Sequence, residues 1–227
     1  MRQIFLMTAA LALVASQAAA AAWETYNNEA LGYTVMFPGK PTDGSGIYKS
    51  DLIPGAVTHF ATLKDGDSTF LALEIDTGQP EEGTALMGEF EYWLGQIGRI
   101  AVNNVARLNV GMQYGRFLTI DCSDDVVSEG VKQPARAREL FKNAAGLACP
   151  NGARIVANLF FTQGRLYAIA GMQTGANAKV AIAPVRFVNS LGWIGANADH
   201  ARAMLEKVHP EMVNAAQPPA PAAGNGR

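Results

Sequence analysis

Motifs for common chemistries are missing from this 227-residue sequence. It has no cysteine–histidine spacing for zinc, no glycine-rich phosphate loop and no G-x-S-x-G nucleophile elbow. Histidine is scarce, with three residues, His59, His200 and His209. Positive charge is not in excess: 18 Lys and Arg stand against 20 Asp and Glu. Nucleic acid is therefore excluded as a main partner, because phosphate binding needs a concentrated positive field. Charged residues are few at 17%, and 49% of the chain is hydrophobic. That balance excludes wholesale disorder and allows one sizeable core, or two small ones. No cofactor and no catalytic group is expected from motifs.

A long hydrophobic run is also lacking. The N-terminal MRQIFLMTAALALVASQAAAAA has a basic Arg2 and a short apolar run from Ile4 to Ala15. Overlapping small-x-small sites follow, the pattern of a cleaved export signal over 1–22. A membrane span needs about 20 well-populated apolar residues, and this run is shorter. No cysteine follows it to take a lipid anchor. The expectation is an exported chain, periplasmic or secreted, without a membrane span once the signal is removed.

Only two cysteines occur, Cys122 and Cys149. In an oxidising compartment an even pair is most economically a disulfide. Closing that loop stabilises the fold by about 3–4 kcal/mol on the chain-entropy model. The alternative is a redox or metal-binding pair, which would want a closer spacing or further ligands.

Strand and helix patterns alternate along the chain. Trp23 to Tyr26 and Tyr33 to Phe37 are strand-like, joined by NNEALG and ended by FPGKP, where Pro38 cannot donate to a ladder. Ile47 to Leu52 is a further strand. Val57 to Leu63 and Thr69 to Ile75 flank KDGDS, a hairpin turn. In the second of these runs Leu71, Leu73 and Ile75 make one face look more apolar than the other. From Glu81 to Asn103 the period becomes helical, with Leu86, Phe90, Trp93, Leu94, Ile97 and Ile100 on one stripe. Gly88, Gly95 and Gly98 are unusual there, and close packing on a sheet would explain them.

Val105 to Val110, Arg116 to Cys122, Ala153 to Phe161 and Arg165 to Gly171 read as strands. Ala178 to Leu191 reads as a helix, with Pro184 either in its first turn or at a kink. The expected fold is a single α+β domain over 23–193, mostly an antiparallel sheet flanked by helices on both faces. A helical extension over 194–212 and a disordered Pro/Ala-rich tail over 213–227 complete the chain.

Two segments, YNNEALGYTVMFPGKP (Tyr26 to Pro41) and GRLYAIAG with RFVNSLGW (Gly164 to Trp193), resemble exported bacterial proteins of the PsbP-like, Mog1/PsbP-type group. The resemblance implies an α/β/α sandwich. It casts Phe37, Pro38, Tyr167, Phe187 and Ser190 as core and turn positions, and it assigns no function.

Candidate sites lie mainly in the cysteine-bounded loop. Asp121, Asp124, Asp125 and Glu129 form an acidic cluster, but the spacing is not that of an EF-hand, and a solvated loop is the simpler reading. Lys132, Arg136, Arg138 and Lys142 follow, either as surface ion-pair partners or as a basic face. Asp124, Asp125, Arg136 and Arg138 are the expected binding surface, since loops on a rigid scaffold commonly carry binding. A nucleophilic triad would need His59 with Ser45 or Ser68 and a carboxylate, and these serines sit in ordinary glycine-rich turns. Phe90 and Trp93 fit a core, whereas Tyr92 falls off the stripe. The expected function is a non-catalytic binding or assembly module of the cell envelope, with another envelope protein as partner. A small-ligand carrier and an enzyme with a scattered site are the alternatives.

Overall fold

The computed structural model describes residues 22–48, 50, 52–78, 83–107, 114–122 and 149–208. The N-terminal segment up to residue 21, the loop interior 123–148 and the residues from 209 onwards lie outside these.

Seven antiparallel strands form the main sheet: β3 (Thr42–Tyr48), β4 (Ala56–Asp65), β5 (Ser68–Asp76), β6 (Arg99–Arg107), β7 (Tyr114–Asp121), β8 (Arg154–Thr162) and β9 (Arg165–Gln173). Their order across the sheet is β3-β4-β5-β9-β8-β7-β6. The first hairpin, β1 (Glu24–Asn28) with β2 (Tyr33–Phe37), does not join it. It pairs with β10 (Gly192–Trp193) in a separate three-stranded sheet.

Helix α1 (Gly83–Ile97) covers one face of the main sheet. Its Leu86, Phe90, Trp93, Leu94 and Ile97 pack on Leu71, Leu73, Ile75, Leu118, Ile120 and Leu159. The other face holds a second core beneath the small sheet and helix α2 (Ile182–Val188), where Phe37, Phe70 and Phe187 meet ring to ring. Burying such side chains is worth about 1.5–3 kcal/mol each. The fold is thus α+β with helices on both faces. Because both faces are covered, β5 is buried on both sides along nearly its whole length, not only on the more apolar face.

The α1 stripe is as expected except at its end. The helix stops at Ile97 and β6 begins at Arg99; at the junction a Cβ on Gly98 would lie 2.6 Å from Ile120 Cγ2 and 2.7 Å from the Asp121 carbonyl oxygen, so only glycine fits there. Ile100 falls on β6, opposite Ile120. At the other end, a Cβ on Gly83 would meet the Phe161 ring at 2.3 Å, whereas Gly88 has nothing within 4 Å. Close packing therefore explains Gly98 and the unremarked Gly83, not Gly88.

Pro184 sits in the first turn of α2, giving the shorter of the two helices envisaged. Ser190 knits this region together: its hydroxyl donates to the Phe187 carbonyl at 2.7 Å and accepts the Met36 N–H at 2.9 Å. Helix α3 spans Gly195–Val208. Asn197 Nδ2 donates to the Leu31 carbonyl at 3.2 Å and to Tyr167 Oη at 2.9 Å, tying α3 to the core.

Candidate functional site at the β3 edge

Register brings chemistry-bearing residues together at one end of the sheet. Ser45 on β3 stands opposite His59 on β4, His59 opposite Glu74 on β5, and Glu74 opposite Tyr167 on β9. Directly opposite residues project on the same face, with Cβ atoms about 4.5–5.5 Å apart. The next row runs Ile47, Val57, Asp76, Arg165. The small sheet and α2 cover the central strands of this face, but the β3 edge stays open. Ile47 is 61% exposed, Val57 42% and the nearby Leu52 49%. Beside them is a cleft of about 550 Å³ lined by Leu52, Ile53, Val57, His59, Asp76 and Thr77.

Glu74 is the buried charge of this region, with 0% exposure. Among the described residues neither of its carboxylate oxygens accepts a hydrogen bond. Its partner is Arg165, whose Nε lies 3.3 Å from Oε1, while Arg165 Nη2 is 3.6 Å from Asp76 Oδ2. Burial pushes Glu74 up from 4.5 to about 7; Arg165 pulls it back, and the negative Asp76 adds to the rise. Burial also raises Tyr33 and Tyr167. Tyr26 rises to about 12 through burial and the hydrogen bond its hydroxyl donates to Asp43 Oδ1 at 2.6 Å, which links β1 to β3.

The sequence offers His59 with Ser45 or Ser68 only as a disfavoured triad and does not single out Glu74. Glu74 sits in an apolar run, and only strand register reveals that it neighbours His59. No hydrogen bond joins Ser45, His59 and Glu74 among the described residues, so the row is not an assembled triad. Ser68 is elsewhere, donating to Gln173 Oε1 at 2.7 Å.

Cys122 and Cys149 form a disulfide, with Cα atoms 5.3 Å apart. The loop residues Asp124, Asp125, Arg136 and Arg138 lie outside the described residues, as do Glu129, Lys132 and Lys142. Asp121, grouped with them as a possible cation ligand, instead pairs with Arg154 at 2.7 Å and Arg99 at 3.5 Å. Among the described residues no cluster of three or more His, Cys, Asp or Glu is placed to hold a metal. Tyr92 is half exposed on α1, with its ring 5.2 Å from that of Trp93. His200 is exposed on α3, and His209 lies outside the described residues.

A second cleft, of about 590 Å³, lies at the β4–β5 turn and is lined by Thr42, Thr62, Lys64, Asp67, Pro150 and Met172. Two further exposed aliphatics, Val180 and Ile182, lie at the start of α2, away from the β3 edge. Among the described residues no helix is long and apolar enough to cross a membrane.

No family model matches the chain, and no curated protein matches it. Among solved structures, it is similar to the solution structure of cyanobacterial PsbP (CyanoP) from Synechocystis sp. PCC 6803. The alignment covers 76% of this chain and 93% of that chain, at 9% identity and a TM-score of 0.46. The likeness is one of fold alone, and no residue role is taken from it.

Proposed function

We propose that the protein is an exported, non-catalytic binding or assembly module of the cell envelope, and that its binding surface is the β3 edge. Export rests on the N-terminal signal pattern, with which the Cys122–Cys149 disulfide agrees, because disulfides persist in oxidising compartments. The observation that carries the binding reading is the apolar surface formed by Ile47, Val57 and Leu52. Ile47 and Val57 are cross-strand neighbours, and Val57 and Leu52 line one cleft. Contiguous exposed aliphatics beside a cleft are the usual mark of an interaction site.

A photoreactive phenylalanine analogue at Val57, irradiated in intact cells, should give one discrete adduct that mass spectrometry identifies as an envelope protein. The same analogue at Val180 should not. Absence of any adduct at Val57 would defeat the reading. The small-ligand alternative draws on the cleft itself, where His59 and Asp76 meet apolar walls. A thermal-shift screen in which a compound stabilises the native protein but not a His59→Ala variant would favour it.

A further inference from the structure

We infer that β3 accepts an extended segment of a partner protein as an added strand, a mode of recognition that rests on the proposed binding surface and specifies its partner's chemistry. Every residue of β3 from Thr42 to Tyr48 pairs with β4, and among the described residues no other strand pairs with β3. The outward side of such a strand presents alternating N–H and C=O groups, which only an extended polypeptide matches along its whole length.

Free edges usually carry charges, prolines or bulges that block pairing. The opposite edge follows that rule: β6 has a bulge between Ile100 and Val102, and the exposed Arg99 at its start. Between Gly44 and Tyr48, β3 has no charge, no proline and an unbroken register.

The side chains define what the added strand would carry. Its alternate residues would lie against Asp43, Ser45 and Ile47 on one face of the sheet. Ile47 and Val57 form an aliphatic seat, and Asp43, whose Oδ1 accepts the Tyr26 hydroxyl's hydrogen bond, supplies an exposed negative charge four residues away. On the other face, the Phe60 ring occupies the space a Cβ on Gly44 would take, with its Cζ 2.4 Å from that position. This carries an apolar surface out towards the edge. The matching segment has an aliphatic residue against Ile47, a lysine or arginine against Asp43, and a second apolar residue over Phe60.

The test uses the full oxidised protein and synthetic peptides in both chain directions, each with valine, lysine and leucine in that spacing. The expected result is saturable binding that slows amide exchange across Thr42–Tyr48 by tenfold or more. Backbone N-methylation of the peptide, Ile47→Asp and Asp43→Lys should each weaken binding at least tenfold. Peptides that leave β3 exchange unchanged at millimolar concentration would overturn strand addition. So would protection of β3 that arises from a dimer and disappears on dilution, which would assign the edge to a second copy. An adduct at Val57 without β3 protection would defeat strand addition while leaving the binding surface intact; no adduct would remove both.

Discussion

Glu74 makes the pH dependence of stability a direct test of the buried row. Its carboxyl is pushed from 4.5 to about 7 by burial, despite Arg165 at 3.3 Å. The unfolded chain therefore releases this proton near its ordinary value, while the folded protein holds it to about 7. Between those limits the unfolded state binds fewer protons, so stability falls as pH rises. The favourable contribution is fully present below about 4.5 and lost above about 7. The size follows from the shift at 1.36 kcal/mol per pH unit, or about 3 kcal/mol in all. Glu74→Gln keeps the shape of the side chain and cannot ionise, and Arg165 keeps Asp76 at 3.6 Å. Urea unfolding of both proteins from pH 4 to 9 should give similar stabilities at the acid end. By pH 8 the variant should be ahead by about 3 kcal/mol. The difference between the curves cancels every other titrating group the two proteins share. Parallel curves across that range would refute the assignment of a buried, raised carboxyl to Glu74.

Four further variants probe the scaffold. Replacing Cys122 and Cys149 together with serine should lower the unfolding free energy by about 3–4 kcal/mol, measured by urea titration under oxidising conditions. Gly98→Ala should destabilise by about 2 kcal/mol or more, since its Cβ would press on the Asp121 backbone, whereas Gly88→Ala should stabilise by up to about 1 kcal/mol in open space; paired thermal melts separate the two. Asn197→Ala removes the donor to the Leu31 carbonyl and Tyr167 Oη, so global stability should drop by about 1–3 kcal/mol, with faster amide exchange in α3.

What the sequence disclosed depended on the range of the interactions that decide each feature. The α1 stripe is local, and Leu86, Phe90, Trp93, Leu94 and Ile97 are buried as their spacing predicts. The cysteine pair needed only compartment and parity. The end of α1 is not legible locally, because the apolar spacing runs on to Ile100 whereas Ile100 pairs with Ile120 on β6 and β7, about twenty residues along the chain. The pairing of β1 and β2 with β10 rather than with the main sheet rests on contacts across about 160 residues, such as Thr34 opposite Gly192. The two-sided burial of β5 has the same origin, since the small sheet and α2 cover the less apolar of its two faces.

The β3 edge lies at the far end of that scale, because three separate registers must hold before Ser45, His59, Glu74 and Tyr167 share one row. A slip of one residue in any of them would send the next side chain to the opposite face. Glu74 is itself the reason such a slip is disfavoured in β5. Reversing that strand would drive its carboxylate into the aliphatic layer under α1, away from Arg165, and turn Leu73 and Ile75 towards Tyr167. An uncompensated buried charge costs several kcal/mol. The same acid that weakens the fold above neutral pH therefore helps hold β4 and β5 in the register that sets Val57 beside Ile47.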